Sequence, residues 1–251
     1  MVDHGELGGV AVRVTTWNVH GAGRPDLAAL ARVVFDAGAD VVALQEVRRS
    51  QAEQLADLLG ISQWRWQFKH RPFGPMLGGL SEGLALLSRF PAVAESSAVL
   101  TPDVAMRSFR RRVVHDLVVT TGAGPMRVVN THLSSDHDGD RANQTTRLVD
   151  FLGGSSAGVT IERTVLAGDL NTVDDDEVMG ELTRAGLADA WTASRAHGEG
   201  STNPADAPHQ RIDHVLVGSR LAVASVDVPP GGTTWARLSD HLPVTVTIAL
   251  G

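Results

Sequence analysis

Acidic, amide and imidazole side chains stand at the ends of successive apolar runs in this 251-residue chain. The segments that carry them are TTWNVHG, ALQEV, NTHL, LAGDLN, RIDHVLV and SDHLPV. The residues concerned are Asn18, Glu46, His132, Asp169 with Asn171, Asp213, and Asp240 with His241. A carboxylate that ends an apolar strand is costly unless it is paired, hydrated or bound to a metal. The repetition of this pattern at six strand ends therefore predicts one shared site.

Two of these residues, Asp169 and Asn171, are separated by a single position. In an extended segment their side chains would point the same way, and a carboxylate beside an amide can activate and orient a water molecule or a phosphoryl oxygen. Taken one motif at a time, other interpretations stay open. GDLN is compatible with an Asx turn that caps a helix, Glu46 with a helix-start acid, and the pair Asp240 and His241 with an ordinary turn.

The donor types and the composition narrow the chemistry. Oxygen donors with two imidazoles and no cysteine in the chain suit Mg²⁺ or Mn²⁺ better than a structural zinc site. The absence of cysteine also excludes disulfides and suits a reducing compartment. The N-terminal segment lacks the features of a secretory signal, and no apolar run approaches the roughly 20 residues that span a bilayer. We therefore expect a cytoplasmic protein without an integral membrane segment, and we expect it to be a monomer.

The elements that must position these residues alternate between strands and helices. Strand-like runs occupy 10–17, 40–47, 83–88, 91–100, 111–119, 126–133, 163–168, 211–218, 221–228 and the closing run after Pro243. Helical patterns occupy about 25–37, 50–59, 139–152 and 175–185. Several strands follow one another without room for a helix, which predicts antiparallel hairpins beside parallel crossovers. The pattern predicts a mixed α/β chain that forms a single domain over 1–251, with turn-rich loops at 70–81, 134–140 and 194–210 that carry function.

The order of the motifs gives a more specific identification. TWNVHG, LQEV, EGLALLSRFP, NTHL, AGDLN, RIDHVLV and SDHLPV jointly resemble the endonuclease/exonuclease/phosphatase superfamily, from about Val12 to Ile248. The resemblance implies a DNase I-like fold, a four-layered sandwich of two mixed β-sheets flanked by helices. It also implies an active site across the strand ends at one edge.

The resemblance assigns roles to individual positions. Glu46 matches the principal metal ligand, with Asn18 beside it and Asp240 as an additional or water-mediated ligand. Asp169 matches the acid that activates or aligns the attacking water, and Asn171 the amide that holds a nonbridging phosphate oxygen.

Two imidazoles complete the site that the resemblance implies. His241 matches the residue that binds the phosphate and stabilises its developing charge. DNase I-like members have two pairs of a histidine and an acid, and the pairs expected here are His132 with Asp213 and His241 with Glu82. An adjacent carboxylate favours the imidazolium and orients it.

The implied activity is metal-dependent hydrolysis of a phosphate ester, as a phosphodiesterase or phosphatase, by in-line attack of water. A net charge of −7, from 22 basic and 29 acidic residues, repels nucleic acid and favours a small or lipid-linked phosphoester over duplex DNA. An endonuclease or exonuclease acting on DNA or RNA is the alternative. A catalytically inactive binding module is a third hypothesis, which the intact motifs disfavour. AP endonucleases have an aromatic hydroxyl residue at the position of His132, and this chain has no tyrosine, which disfavours a DNA-repair activity.

Overall fold

The computed structural model describes residues 10–71, 80–101, 103–135, 138–173 and 176–250. Within these ranges the strands are β1 (Val10–Asn18), β2 (Val41–Arg48), β3 (Gln63–His70), β4 (Glu82–Ser88), β5 (Ala92–Val99), β6 (Val113–Thr121), β7 (Gly124–His132), β8 (Thr164–Asp169), β9 (Leu187–Asp189), β10 (Asp213–Gly218), β11 (Leu221–Asp227) and β12 (Val244–Leu250). The helices are α1 (Leu27–Asp36), α2 (Arg49–Leu59), α3 (Asp138–Gly153), α4 (Glu177–Arg184), α5 (Ala190–Ala193) and α6 (Thr233–Ala236). No helix in the described part of the chain is long and apolar enough to cross a membrane.

The strands form two six-stranded sheets with the same internal plan. The first has the order β11-β12-β1-β2-β4-β3 and the second the order β5-β6-β7-β8-β10-β9. Each sheet has one parallel pair at its centre, β1 with β2 and β7 with β8, and antiparallel pairs on both sides. The predicted DNase I-like architecture of two mixed sheets is confirmed.

The two sheets pack face to face, and helices cover their outer faces. Alternate residues of the strands, such as Val12, Leu86, Leu117 and Val128, fill the space between the sheets and are fully buried. The opposite face of the first sheet packs against α1 and α2, and the opposite face of the second sheet packs against α3 and α4. Because strand side chains alternate between faces, each central strand contributes to two cores, which explains its nearly continuous apolar sequence.

A buried ion pair attaches α3 to the second sheet. Arg127 on β7 donates from Nε to Asp116 Oδ2 on β6 at 2.6 Å. Its other guanidinium nitrogens donate to the carbonyl oxygens of Phe151, Leu152 and Gly154 at the end of α3. These carbonyls have no partner within the helix, so the arginine caps α3.

Most predicted elements are confirmed within two or three residues, and the differences have local causes. The edge strand β3 was not predicted, because its QWRWQFKH sequence alternates aromatic and polar residues and is only partly buried over most of its length. β6 begins at Val113 rather than 111, because a turn in which the Arg111 N–H donates to Ser108 O precedes it. Of the loops expected to carry function, residues 72–79 and 136–137 lie outside the described residues.

The strand register brings the predicted site residues to one edge of the sandwich. In the first sheet Asn18, at the end of β1, is the partner of Gln45 on β2. In the second sheet Asp169, at the end of β8, lies between His132 on β7 and Asp213 on β10. The carboxyl ends of the parallel strands β1, β2, β7 and β8 therefore bring together four of the predicted segments, TTWNVHG, ALQEV, NTHL and LAGDLN.

Candidate active site

Asp169 lies where the two sheets meet. Its side chain is buried, and Asn18 of the opposite sheet donates from Nδ2 to Asp169 Oδ2 at 3.0 Å. The Nε2 atoms of His132 and His241 lie 3.6 and 3.8 Å from the same oxygen. Burial, followed by the charge of Asp213, raises the pKa of Asp169 to about 7. A single carboxylate oxygen is thus surrounded by one amide and two imidazoles.

His241 forms an ion pair with Asp213. The distance from His241 Nδ1 to Asp213 Oδ2 is 2.8 Å, and both side chains are buried. Burial lowers the pKa of His241, but the Asp213 carboxylate, together with Asp169 and Asp240, more than offsets it and raises this pKa to about 10. His241 is therefore an imidazolium at neutral pH.

The main chain around His241 is attached to the first sheet. Trp17 on β1 donates from Nε1 to His241 O at 2.8 Å. Ser239 donates from Oγ to Asn18 O at 2.6 Å and accepts the His241 N–H at 3.2 Å. These contacts hold the SDH segment against the end of β1, so the imidazole reaches across to the acids of the second sheet.

The two predicted histidine–acid pairs are wrong. His241 pairs with Asp213, not with Glu82, because the antiparallel β8–β10 register places Asp213 opposite Asp169 and beside the SDH segment. Asp213 Oδ2 is therefore paired with His241 and is not the partner of His132. Glu82 begins β4 in the other sheet, where it is the register partner of His70, and its Oε2 lies 3.6 Å from His70 Nε2.

A bulge in β2 sets the orientation of the Glu46 side chain. The ladder between β2 and β4 shifts register between Leu44 and Val47, and Glu46 within this interval has the left-handed φ of +53°. A non-glycine residue with positive φ marks strain that the surroundings must hold. The side chain is 25% exposed, and its Oε1 lies 3.8 Å from His132 Nδ1 of the opposite sheet.

A buried amide network lies beneath this bulge. Asn130 on β7 donates from Nδ2 to Leu44 O at 3.0 Å and to Ala85 O at 2.9 Å. Gln45 donates from Nε2 to Asn130 Oδ1 at 2.8 Å. The second sheet thus supplies the hydrogen bonds that the irregular part of the β2–β4 ladder needs. Sequence reasoning missed both residues, although they belong to the QE and NTH motifs.

Asn171 lies beside Asp169, but not in the predicted extended conformation. β8 ends at Asp169, and Asn171 has a φ of +50°. Its N–H donates to Asp169 Oδ1 at 3.0 Å, and its Nδ2 donates to Leu133 O at 3.0 Å. Asp169 therefore forms an Asx turn, which holds Asn171 next to it, but this turn does not cap a helix as the alternative for GDLN had it, because Asp176 is the N-cap residue of α4.

Asp240 lies at the rim, next to a histidine that is not among the predicted site residues. The Asp240 side chain is 54% exposed, and its Oδ1 lies 3.6 Å from His20 Nδ1. His20 also donates its N–H to Asn18 Oδ1 at 3.1 Å. The position of His20, two residues after Asn18 at the end of β1, is the signal that could have identified it.

A buried basic group behind His132 was also missed. Lys69, near the end of β3, is the single lysine of the chain, and its Nζ lies 3.4 Å from His132 Nδ1. Burial, together with the charges of Lys69 and Arg112, lowers the pKa of His132 well below its ordinary value. Burial and then Arg112 lower the pKa of Lys69 to about 8. A single lysine in an arginine-rich chain is a signal that could have drawn attention to Lys69. Its position near the site could have been inferred only if β3 had been predicted.

The side chains of the site fit a divalent cation of the hard class. Ligand atoms of Asp169, Asp213 and His241 all lie within 4.8 Å of one another, and the buried Asp213 Oδ1 has no hydrogen-bond partner. Glu46 and Asn18 offer a second set of oxygen atoms at the adjoining strand ends. Carboxylate and amide oxygens are the ligands that Mg²⁺ and Mn²⁺ prefer.

Comparison with known proteins gives a family and several related folds. Residues 15–241 match the Endonuclease/Exonuclease/phosphatase family, and no curated protein gives a significant match. An endonuclease/exonuclease/phosphatase from Beutenbergia cavernae DSM 12333 is 24% identical, with a TM-score of 0.76 over 96% of this chain and 72% of that one. The mannosyl-6-phosphatase of Bacteroides thetaiotaomicron VPI-5482 is 17% identical, with a TM-score of 0.72 over 95% and 100%. TDP2 from Caenorhabditis elegans is 20% identical, with a TM-score of 0.71 over 99% and 77%.

Proposed function

Because this chain belongs to the endonuclease/exonuclease/phosphatase family, we propose that it is a Mg²⁺- or Mn²⁺-dependent hydrolase of phosphate esters. The observation that carries the proposal is the surrounding of Asp169 Oδ2, which has the Asn18 amide and two imidazole nitrogens within 3.8 Å. A potential base, a charged imidazole and hydrogen-bond donors therefore meet at Asp169 Oδ2. Water attacks the phosphorus, and the bond to the leaving oxygen breaks.

Glu46, with Asn18 and Asp240, would hold the cation. When bound, the ion neutralises charge on the phosphoryl oxygens and on the leaving group. Glu46 is the central ligand in this proposal because its bulge turns an acidic side chain out of an otherwise apolar strand.

Asp169 acts on the attacking water in this proposal. Its raised pKa of about 7 makes it a stronger base than an ordinary carboxylate. The hydrogen bond from Asn18 to Oδ2 and that from the Asn171 N–H to Oδ1 hold the plane of the carboxylate. Asp169 accepts a proton from the water as the new P–O bond forms.

His241 stabilises the charge that develops on the phosphate. Its Nδ1–H is bound by Asp213, which leaves the Nε2–H for a phosphoryl oxygen. A positioned charged donor of this kind contributes roughly 10²–10³-fold to rate. The Asn171 Nδ2 donates one N–H to Leu133 O, which leaves its second N–H for a nonbridging oxygen.

The charge of the chain bears on the substrate. A net charge of −7 disfavours extended polyanions, whereas the site itself contains the buried basic residues Lys69, Arg111 and Arg112. This contrast supports a small or lipid-linked phosphoester, and the fold similarity to a mannosyl-6-phosphatase is consistent with it. The alternative, an endonuclease or exonuclease, would use the same residues on a longer substrate.

A substrate panel tests the proposal. Plasmid DNA, single-stranded DNA, RNA, bis-p-nitrophenyl phosphate, sugar phosphates, inositol phosphates and sphingomyelin would each be incubated with Mg²⁺, Mn²⁺ or EDTA. We expect hydrolysis of a small or lipid-linked ester that EDTA abolishes, and no hydrolysis by Asp169→Asn. Preferred cleavage of DNA or RNA would support the alternative, and turnover unaffected by EDTA would refute the metal-dependent mechanism.

A further inference from the structure

His132 lies between a buried ammonium group and the catalytic candidate Asp169. Its Nδ1 is 3.4 Å from Lys69 Nζ, and its Nε2 is 3.6 Å from Asp169 Oδ2. The Lys69 side chain is only 3% exposed. The Nδ1 of His132 thus has the Lys69 donor at hydrogen-bond distance, with Glu46 Oε1 farther away at 3.8 Å, and its Nε2 faces the acceptor Asp169.

This arrangement selects one form of the imidazole. A lysine ammonium has three N–H donors and no acceptor, so His132 Nδ1 can only accept a hydrogen bond from it. The proton of the neutral ring then lies on Nε2, on the side of Asp169. An imidazolium would place an Nδ1–H against the ammonium in a buried space, where like charges repel strongly.

The charges around Lys69 support an ammonium at this place. Glu46, Glu82 and Asp169 each favour its charged form, although burial and Arg112 oppose it. Its main chain is also held, because the Arg111 guanidinium donates to Lys69 O. A buried ammonium contributes little or negatively to stability, so its placement beside the site calls for another explanation.

We propose that Lys69 is a positioning residue that holds His132 as a neutral imidazole with its Nε2–H directed at the reacting phosphate. The proposal rests on the proposed function of the site. The distance from Nε2 to Asp169 Oδ2, 3.6 Å, is too long for a hydrogen bond, so the Nε2–H stays available for a phosphoryl oxygen. His132 then differs from a histidine paired with an acid, because it donates a hydrogen bond but carries no proton to give to the leaving group.

The form of His132 can be observed directly in the wild-type protein. Nitrogen NMR of protein labelled with ¹⁵N-histidine at pH 7.5, without metal or substrate, distinguishes the two neutral tautomers and the imidazolium. The spectrum of His132→Gln identifies the His132 signals by their loss. We expect an unprotonated Nδ1 and a protonated Nε2. An Nδ1–H tautomer or an imidazolium would overturn the proposal, whatever the activity of the protein.

Replacement of Lys69 tests the functional part. In Lys69→Met we expect kcat to fall about tenfold or more, within the range for loss of a positioned donor. We expect KM to change less than twofold, the melting temperature to stay equal or rise, and the His132 signals to shift to a mixture of tautomers. Unchanged kcat, or unchanged His132 signals in the folded variant, would refute the role of Lys69.

The absence of cysteine from the chain allows a matched chemical rescue. Lys69→Cys would be alkylated in denaturant with 2-bromoethylamine, which restores an ammonium on a side chain of lysine length, or with iodoacetamide, which gives a neutral amide. After refolding, we expect recovery of kcat only with the aminoethyl group. Equal activity of the two products would show that the cavity needs filling but not a charge, against the proposal. If the wild type itself hydrolyses no phosphoester, the proposed function fails, whereas the NMR result still judges the pairing of Lys69 with His132.

Discussion

The charge on His241 depends on one carboxylate. Asp213 lies 2.8 Å from its Nδ1, and this ion pair raises the pKa of His241 against the opposing effect of burial. In Asp213→Asn the burial remains but the carboxylate that opposes it most strongly is gone. We expect the pKa of His241 to fall from about 10 to below 6.5, the ordinary value for histidine, as measured by NMR titration in EDTA.

The control for this titration is Asp240→Asn. Asp240 also favours the charged form of His241, but it contributes less than Asp213 or Asp169, and its side chain is more than half exposed. His241 in this variant is expected to remain protonated at pH 8. Identical titration of His241 in the wild type and in Asp213→Asn would show that Asp213 does not control the charge.

Metal binding and water activation are expected to separate at two acids. Glu46→Gln removes a ligand charge, and we expect it to weaken Mn²⁺ binding roughly tenfold or more, as measured by EPR. Asp169→Asn is expected to bind Mn²⁺ nearly as well as the wild type but to lose about 10²–10⁴-fold in kcat.

Asp213→Asn distinguishes the two sets of metal donors. If the cation lay among Asp169, Asp213 and His241, whose ligand atoms are within 4.8 Å of one another, this variant would lose Mn²⁺ affinity and Glu46→Gln would not. That pattern would move the metal site away from Glu46.

At the level of single residues, the sequence predicted which side chains gather but not how they pair. Asn18, His132, Asp169 and Asp213 are readable because polar residues that follow apolar strands are conspicuous. The partner of His241 is not readable, because it depends on which residue stands opposite Asp169 in an antiparallel register.

At the level of elements, the β2 bulge shows how a residue of the second sheet supports the conformation of Glu46 in the first sheet. Asn130 donates to Leu44 O and Ala85 O, which belong to the last regular β2–β4 pair before the register shift. Asn130→Leu keeps the approximate volume and leaves both carbonyls without this donor. We expect a loss of about 1–3 kcal/mol in the free energy of unfolding for each unsatisfied carbonyl and a higher Mg²⁺ concentration for half-maximal rate, because Glu46 loses its support.

A control of similar cost lies far from the site. Leu148→Ala in α3 removes a fully buried side chain from the outer core of the second sheet, at about 2–5 kcal/mol, and touches neither β2 nor β4. Both variants would be measured by urea denaturation and by Mg²⁺ titration of the rate. A shift of the Mg²⁺ midpoint in Leu148→Ala as large as that in Asn130→Leu would attribute the effect to general destabilisation.

The elements themselves were more predictable than their irregularities. Strands with continuous apolar runs, such as β2 and β8, are evident because burial on both faces leaves few polar positions. β3 was missed because an edge strand is covered on one side only. Without β3, the sequence could not place Lys69 near the site. The positive φ of Glu46 has no signature in its residue type, whereas asparagine, as at Asn171, adopts positive φ more readily than most other non-glycine residues.

At the scale of the whole molecule, the residues of the candidate active site come from both sheets. Asn18, Glu46 and the SDH segment come with the first sheet, and His132, Asp169 and Asp213 come with the second. Residues 18 and 169 meet through one hydrogen bond between their side chains, although 151 positions separate them. The resemblance to a known family predicted this association of sheets, whereas periodicity alone predicts only that both sheets exist.

The two-sheet origin of the site links metal binding to global stability. The carboxylates of Glu46 and Asp169, which lie 3.8 and 3.6 Å from the two ring nitrogens of His132, come to one site only in the folded chain, so a cation held there would bind only the native state. A ligand that binds only the native state stabilises it by about 2.7 kcal/mol at a hundredfold excess over its Kd. For a chain of this length that corresponds to a rise in Tm of roughly 5 to 10 °C.

We therefore expect Mg²⁺ to raise the Tm of the wild type over that in EDTA, and to raise it much less in Glu46→Gln. Asp169→Asn, which keeps Glu46, is expected to retain most of the rise. Scanning calorimetry of the three proteins with Mg²⁺ and with EDTA checks this, and an equal rise in wild type and Glu46→Gln would place the stabilising cation elsewhere in the molecule.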